Sequence, residues 1–253
     1  MEGNFESIKN VLYNEASELV NSSAMFKALR AKEKIDVDIP KEFAEKFFKI
    51  IDKVNLSLME EKDNFYGYFL FQMGREIRFD INSPTGINFK GAKYVIYFNP
   101  IIFLQLNIKQ MESTIKHEIH HVLSMHLARA KELRGKFSTL AINLAMDIVV
   151  NQYLNNLPTY ATTLKGVNLK YELNLEPYNS FEYYAENIQN VLNVLEESDE
   201  GEEDDSWGEE LENGYDPETT HDLWDESENI DEKTLRDFTE KFISNSEKGV
   251  IPI

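Results

Sequence analysis

Residues 108–134 read IKQMESTIKHEIHHVLSMHLARAKELR, and this stretch decides the fold. It contains no glycine or proline and stops just before Gly135, so the spacing of its apolar residues predicts one helix over 108–134. His117, Glu118 and His121 form an HExxH pattern within it. Residues four apart on a helix lie about 40° apart in projection, so both imidazoles can bind one metal ion.

On a helical wheel, the HExxH residues and the apolar residues occupy opposite faces. Thr114, Glu118 and His121 fall within about 100° of His117. The apolar face consists of Ile108, Met111, Ile115, Ile119 and Val122. Glu118 lies beside the histidine pair, and we predict that it is the general base for a metal-bound water. His126 follows the apolar face, so we predict a packed histidine, which would become a ligand only if the helix broke before it.

The next helix, predicted over 139–156, offers a third ligand. It is apolar almost all round, yet Asn143, Asp147 and Asn151 repeat every four residues along it. A buried carboxylate needs a cationic partner, and a metal ion is one such partner for Asp147. The alternative is an Asp147 carboxylate held by Arg129 or by the two Asn side chains. Catalytic zinc commonly has three protein ligands and a water, which favours the metal.

Composition limits the other functions. The net charge is −19, but residues 196–232 hold 19 acidic residues and no Lys or Arg, which leaves 26 acidic and 26 basic residues elsewhere. Nucleic acid is therefore an unfavourable partner. We expect no membrane span, no secretory signal and, without any Cys, a cytoplasmic protein. The acidic segment is interpreted as a flexible insert, with a cover over the cleft, weak calcium binding or docking of a protein partner as alternatives.

Elsewhere the patterns predict helices at 5–32, 41–62, 181–195 and 231–246. Aromatic and β-branched runs predict antiparallel strands at 65–72, 76–82 and 93–99. Residues 83–91 are interpreted as a turn, and 159–179 as a loop with some strand. These elements predict an α+β fold, mostly helical, with about three strands in an antiparallel or mixed sheet beside the HExxH helix.

The order of motifs resembles a known family. YFNP at 97–100 precedes HExxHxxxxHxxR at 117–129 and NxAxDxxxN at 143–151, and SFEYYAENI at 180–188 and HDLW at 221–224 follow. This pattern is similar to the metallopeptidase domain that precedes von Willebrand factor A-like domains in bacterial and phage proteins. The resemblance covers about residues 20–253. It implies a zincin-like fold, His117, His121 and Asp147 as metal ligands, and Glu118 as catalytic acid/base.

We therefore expect a zincin-like metallopeptidase domain at 1–195, the acidic segment at 196–230, and a C-terminal helix at 231–253 that returns to the domain. An A-like domain does not follow, which suggests a natural short form or a piece of a longer chain. The predicted function is zinc-dependent hydrolysis of a protein or peptide, with another divalent metal as an alternative to zinc. The alternatives to a peptidase are an inactive, metal-stabilised binding module that works with a partner protein and an acidic interaction protein.

The remaining site predictions concern the surroundings of the metal. His221 is the first candidate for the oxyanion donor and Tyr153 the second, although His221 fits an ordinary hydrogen-bonded loop residue equally well. We also predict residues that lie next to the ligands without binding the metal and that orient them: Asn143, Asn151, Arg129 and His126. A substrate is expected to pair with strand 93–99 as an added strand.

Overall fold

A computed structural model describes residues 2–21, 24–25, 27–28, 35, 37–60, 64–197, 221, 223–224 and 231–249. Most of the acidic segment at 196–230 lies outside these residues, so the predictions for that segment stay predictions. Among the described residues, no helix combines the length and apolar character needed to cross a membrane.

Helices dominate the described chain, and one small sheet interrupts them. The helices are α1 (Glu2–Leu19), α2 (Lys41–Glu60), α3 (Phe65–Gln72), α4 (Pro100–Phe103), α5 (Ile108–Leu123), α6 (His126–Leu133), α7 (Thr139–Asn151), α8 (Leu164–Lys170), α9 (Phe181–Glu197) and α10 (Glu232–Gly249). The strands are β1 (Gly74–Ile77), β2 (Thr85–Lys90) and β3 (Lys93–Phe98).

The sheet is mixed. Its order is β1-β3-β2, with β1 parallel and β2 antiparallel to β3. A tight turn at Gly91 and Ala92, both with positive φ, joins β2 to β3. Such two-residue turns match the twist of antiparallel strands. Strand β2 packs against α5, so the predicted α+β fold with a small mixed sheet beside the HExxH helix is confirmed.

Two predictions around the sheet, one of a strand and one of a turn, are wrong. Residues 65–72 form helix α3 instead of a strand, with Phe69 and Leu70 buried against neighbouring helices. A short run that is apolar all round has no period to distinguish helix from strand, and tertiary packing decides between them. Residues 85–90, predicted as part of a turn, form strand β2. The predicted strand at 76–82 is β1, which begins two residues earlier and ends at Ile77.

Strand β3 agrees with the predicted strand at 93–99, but its place in the sheet differs from the expectation. It is the central strand, with β1 on one side and β2 on the other. Because both of its hydrogen-bonding edges are occupied, β3 cannot take an added substrate strand. Strand β2, at the edge of the sheet, is the strand that neighbours α5.

Several helix boundaries also differ from the predictions. Helix α1 ends at Leu19, because Asn21 Oδ1 accepts a hydrogen bond of 3.0 Å from Ala24 N and caps a new helical turn. Helix α7 ends at Asn151, five residues early. Residues 159–179 contain helix α8 and no strand, since Thr163 caps that helix. The prediction of one helix over 108–134 is wrong at Ser124 and Met125, where the chain breaks into α5 and α6.

The core that supports the sheet contains a cluster of phenylalanines centred on Phe47. This ring is fully buried on α2 and lies 6.0 Å from Phe98 of β3 and 6.1 Å from Phe103 of α4, between ring centroids. At the other end of the sheet, α10 covers α3, with Phe242 5.6 Å from Phe69. These contacts hold β3 against α2 and α4 and hold α10 against α3. Helices α2, α3 and α10 also pack on α5, which carries the HExxH residues.

Replacing Phe47 by alanine should lower the free energy of unfolding by about 3–5 kcal/mol, because it leaves a cavity among packed rings. Phe71→Ala is the matched control, since Phe71 is 64% exposed and should change stability by no more than about 0.5 kcal/mol. Urea denaturation of the two variants measures the difference. Similar losses in both would contradict the assignment of the core to the Phe47 cluster.

Candidate metal centre

Helix α5 carries two of the predicted ligands because its sequence defines both its start and its faces. Asn107 accepts a hydrogen bond from Gln110 N, and the Gln110 side chain bonds back to Asn107 N, which makes a capping box. The apolar face of α5, with Met111, Ile115, Ile119 and Val122 all buried, anchors the helix in the core. His121 is 1% exposed and Glu118 4% exposed, while the His117 side chain is partly open.

Helix α7 brings the third predicted ligand to the same place. It lies between α5 and α9, which explains why its sequence is apolar almost all round. Asp147 faces α5: its Oδ1 atom is 3.5 Å from His117 Nε2 and 3.4 Å from His121 Nε2. The two imidazole Nε2 atoms are 2.9 Å apart. The structure therefore brings His117, His121 and Asp147 together as predicted from the sequence.

These separations fit a metal ion. Zinc binds imidazole nitrogen at about 2.0–2.1 Å, which puts neighbouring tetrahedral ligand atoms roughly 3.3 Å apart. The three ligand atoms lie within 4.8 Å of one another, and two of the three residues are buried. Among the described residues, this is the one cluster of His, Asp or Glu side chains that could hold a metal ion. Two imidazoles and one carboxylate also match the ligands of catalytic zinc sites, which leave a position open for water.

The protonation states suit this role. Burial alone would raise the pKa of Asp147, but the neighbouring His221, His121 and His117 hold that pKa well below its usual range. Burial is the main reason that the pKa of His121 is also well below its ordinary value. Asp147 is therefore ionised and His121 neutral at physiological pH, and these are the forms that bind metals.

The ligands are oriented from behind by other polar side chains. Asn151 Oδ1 lies 2.8 Å from His117 Nδ1, so the amide oxygen holds the proton on Nδ1 and leaves the Nε2 lone pair for the metal. The same Asn151 donates from Nδ2 to Thr162 O at 2.7 Å. Asn143 is buried one turn before Asp147, away from the cleft.

His126 contacts a ligand and not the metal position. Ser124 caps the end of α5, and Met125, the N-cap of α6, has a φ of 56° in the left-handed region. The break turns His126 back, so that its Nδ1 lies 2.9 Å from His121 Nδ1, and its ring packs on Phe181. Its Nε2 has no hydrogen-bond partner among the described residues. His126 is thus a buried histidine that orients His121.

Arg129 lies outside the site. Its guanidinium makes a two-armed ion pair with Glu182 of α9, with its Nη2 atom at 2.7 and 2.8 Å from the two carboxylate oxygens. It also donates to Ser124 O at 3.2 Å, next to the helix break. The break redirects α6 toward α9, so Arg129 is not the cation that balances Asp147. Arg129 thus contacts Glu182, Ser124 and the Phe181 ring, whereas the sequence analysis predicted that it supports the ligands.

Glu118 lies beside the ligands in a nearly closed environment. Its Oε1 accepts a hydrogen bond of 2.9 Å from Thr85 Oγ1 of β2. Burial raises the pKa of Glu118 above its ordinary value, although the charges of His117 and His221 and the Thr85 hydrogen bond act against that increase. Thr85 was not predicted from the sequence, because residues 83–91 carry turn signals that gave no hint of a strand.

His221 reaches the site from far along the chain. Its Nε2 is 3.0 Å from Asp147 Oδ1, and its ring stacks on Trp224 with centroids 4.5 Å apart. Trp224 Nε1 donates to Ile87 O at 2.7 Å, and Asn88 Nδ2 donates to Leu223 O at 2.6 Å. The HDLW block is thereby fixed to β2, and it holds His221 against the carboxylate.

A cleft of about 50 Å³ opens beside these groups. Its lining combines the candidate metal residues with the segment after α7: Ser83, Pro84, Thr85, Thr114, His117, Glu118, Asp147, Asn151, Leu157, Pro158, Tyr160, Ala161, Thr162 and His221. Tyr153, the second oxyanion candidate, does not line the cleft: it is 60% exposed and stacks on His120. Tyr160 lines the cleft instead, and its position in a loop gave no signal in the sequence.

Asp147→Ala should weaken metal binding at least about a hundredfold. Loss of a metal ligand costs more affinity than loss of a residue that only hydrogen-bonds to a ligand. Metal content of the purified protein, measured by inductively coupled plasma mass spectrometry, tests this. Asp237→Ala, at an exposed position of α10, is the control and should keep its metal. Stoichiometric metal in Asp147→Ala would remove Asp147 from the ligand set, and no metal in the native protein would contradict the centre itself.

Asn151→Ala should weaken metal binding about 10–100-fold, because it removes the oxygen that fixes the His117 tautomer. Competition with a chelator of known affinity gives the dissociation constant. The exposed Asn193→Ala serves as the matched control. Unchanged affinity in Asn151→Ala would mean that His117 needs no such partner.

The whole arrangement falls inside a region that has recognised relatives. A family model described as "Putative metallopeptidase domain" matches residues 58–228, which includes the sheet, α5, α7 and the HDLW block. No curated protein and no solved structure matches the chain. The matched region covers more than half of the 253 residues, and the chain belongs to this metallopeptidase-domain family.

Proposed function

We propose that the protein is a zinc-dependent peptidase in which His117, His121 and Asp147 hold the metal and Glu118 is the general base. One observation carries the proposal: Glu118 is a buried carboxylate that lines the same cleft as His117 and Asp147, two of the three candidate ligands. A purely structural metal site has no use for a second carboxylate beside its ligands. Burying such a group without a function would only cost stability.

Zinc is the metal that suits this ligand set best. Imidazole ligands favour zinc over calcium and magnesium, which prefer sites made of oxygen atoms alone. When bound, zinc polarises a carbonyl group and lowers the pKa of a water toward about 7. Other divalent transition metals share these ligands, and the metal analysis of the purified protein distinguishes them.

Glu118 has the properties needed to move the proton. A general base works best with a pKa near the working pH, and burial shifts the pKa of Glu118 upward in that direction. In the proposed reaction Glu118 accepts a proton from the attacking water and then passes it to the leaving amine. Thr85 Oγ1, hydrogen-bonded to one carboxylate oxygen, orients the group so that its other oxygen serves the water.

His221 is our proposed donor to the developing oxyanion. It lines the cleft, and its attachment through Trp224 to β2 keeps the ring in one orientation. Its hydrogen-bond contact with Asp147 also supports a second contribution, the orientation of that ligand. Preorganised donors of this kind stabilise charge that develops in the transition state.

The substrate is proposed to pair with β2 instead of β3. Strand β2 is at the edge of the sheet beside α5, and its Thr85 end lines the cleft. Further along, Ile87 and Asn88 already bond with Trp224 and Leu223. A bound peptide would therefore extend the sheet at the Thr85 end, next to Glu118.

Glu118→Gln should reduce peptide cleavage by about 10²–10⁴-fold and leave metal content unchanged, because it removes the base and no ligand. A library of fluorogenic peptides, with mass spectrometry of the products, measures the activity. Glu240→Gln on the exposed face of α10 is the control and should retain full activity. Equal cleavage by the native protein and Glu118→Gln would contradict the role of Glu118. Full metal content with no cleavage by the native protein would support a metal-stabilised binding module instead.

A further inference from the structure

The cleft has two chemically different walls. One wall carries His117, Asp147 and Glu118, and these side chains are polar or charged. The other is the segment 157–162, Leu-Pro-Thr-Tyr-Ala-Thr, which follows α7 and contributes five residues to the lining. No residue of this segment carries a charge at neutral pH. Burial raises the pKa of the Tyr160 phenol, so this hydroxyl stays neutral as well.

The segment 157–162 is held in position by the metal site itself. Asn151 bonds to His117 through its amide oxygen and to Thr162 O through its amide nitrogen, at 2.8 and 2.7 Å. A turn hydrogen bond of 3.1 Å from Ala161 N to Pro158 O closes the segment on itself. Thr162 is 7% exposed. The wall is therefore rigid relative to the ligands, as a surface that selects a side chain must be.

The size of the cleft sets a limit on what it holds. The cleft is small, at about 50 Å³, compared with roughly 10–15 Å³ for one water molecule, so it suits a side chain of only a few heavy atoms. A charged side chain would lose its hydration against Leu157, Pro158 and Ala161 and find no opposite charge on that wall. An acidic side chain would also face the carboxylate of Glu118.

We propose that the segment 157–162 is the specificity wall of the cleft and that the protein cleaves peptides with a medium-sized aliphatic residue, such as Val or Leu, next to the scissile bond. This inference rests on the proposed peptidase function and adds the class of substrate. Leu157 and Ala161 contact the aliphatic side chain, while Tyr160 closes the wall. Asn151 links this recognition surface to ligand His117.

Two peptide hydroxamates test the preference without requiring turnover. Hydroxamates chelate the metal, and the two probes differ only in the adjacent side chain, Leu in one and Asp in the other. Isothermal titration calorimetry with the full chain loaded with zinc should give about tenfold or tighter binding of the Leu probe, since a buried unpaired carboxylate is costly. Equal affinities, or a preference for Asp, would overturn the proposal, as would a failure of both probes to bind.

The variant Leu157→Lys tests whether the specificity wall causes the preference for the Leu probe over the Asp probe. The new ammonium group should weaken the Leu probe, strengthen the Asp probe and lower the ratio of their affinities at least about fivefold. Leu169→Lys is the matched control, since Leu169 is 79% exposed on α8 and outside the cleft lining, and its ratio should equal the native one. An unchanged ratio in Leu157→Lys would overturn the assignment. If the probes discriminate as expected but no peptide is cleaved, the specificity wall stands and only the peptidase function fails.

Discussion

The buried carboxylate of Asp147 is the constraint on which the rest of the site depends. Asp147 is 4% exposed, and imidazole nitrogens of His117, His121 and His221 approach its Oδ1 atom within 3.5 Å. An ionised carboxylate in this environment requires positive charge nearby, and the proposed metal ion would provide it while the imidazoles remain neutral. An Asp side chain is short, so α7 has to pack directly on α5, and α9 closes the other side of α7.

The site combines three segments that are distant in the chain. Helix α5 provides the HExxH residues, α7 provides Asp147 and Asn151, and the HDLW block returns from beyond residue 220 to contribute His221. Each segment is tied to another by a polar contact at the site, through Asn151 to His117, Thr85 to Glu118 and Trp224 to Ile87. Such connections hold catalytic groups in place before a substrate arrives, which is where much of an enzyme's electrostatic stabilisation originates.

The contact between His121 and His126 leaves a buried polar atom without a partner among the described residues. If His121 presents Nε2 to a metal, its Nδ1 carries the proton and donates to His126 Nδ1. His126 then carries its own proton on Nε2, an atom without a hydrogen-bond partner among the described residues. A buried unsatisfied donor costs about 1–3 kcal/mol. The packing of His126 on Phe181 and the orientation that it gives His121 are the contributions that offset this cost.

The sequence by itself determined the local chemistry. The spacing of His117 and His121 depends only on the helical repeat, and the line of Asn143, Asp147 and Asn151 identified the second helix as one that carries polar groups into a core. The α+β class followed from the number and type of periodic segments. Tertiary structure decided features that no local period encodes. The apolar run 65–72 is helix α3, and residues 85–90 are a strand that supplies Thr85. Met125 takes a left-handed conformation and turns His126 toward His121. Tertiary structure also decided that Arg129 pairs with Glu182 and that the loop 157–162 lines the cleft. These features depend on which surfaces meet when the helices and the sheet pack, and residues distant in the chain decide that.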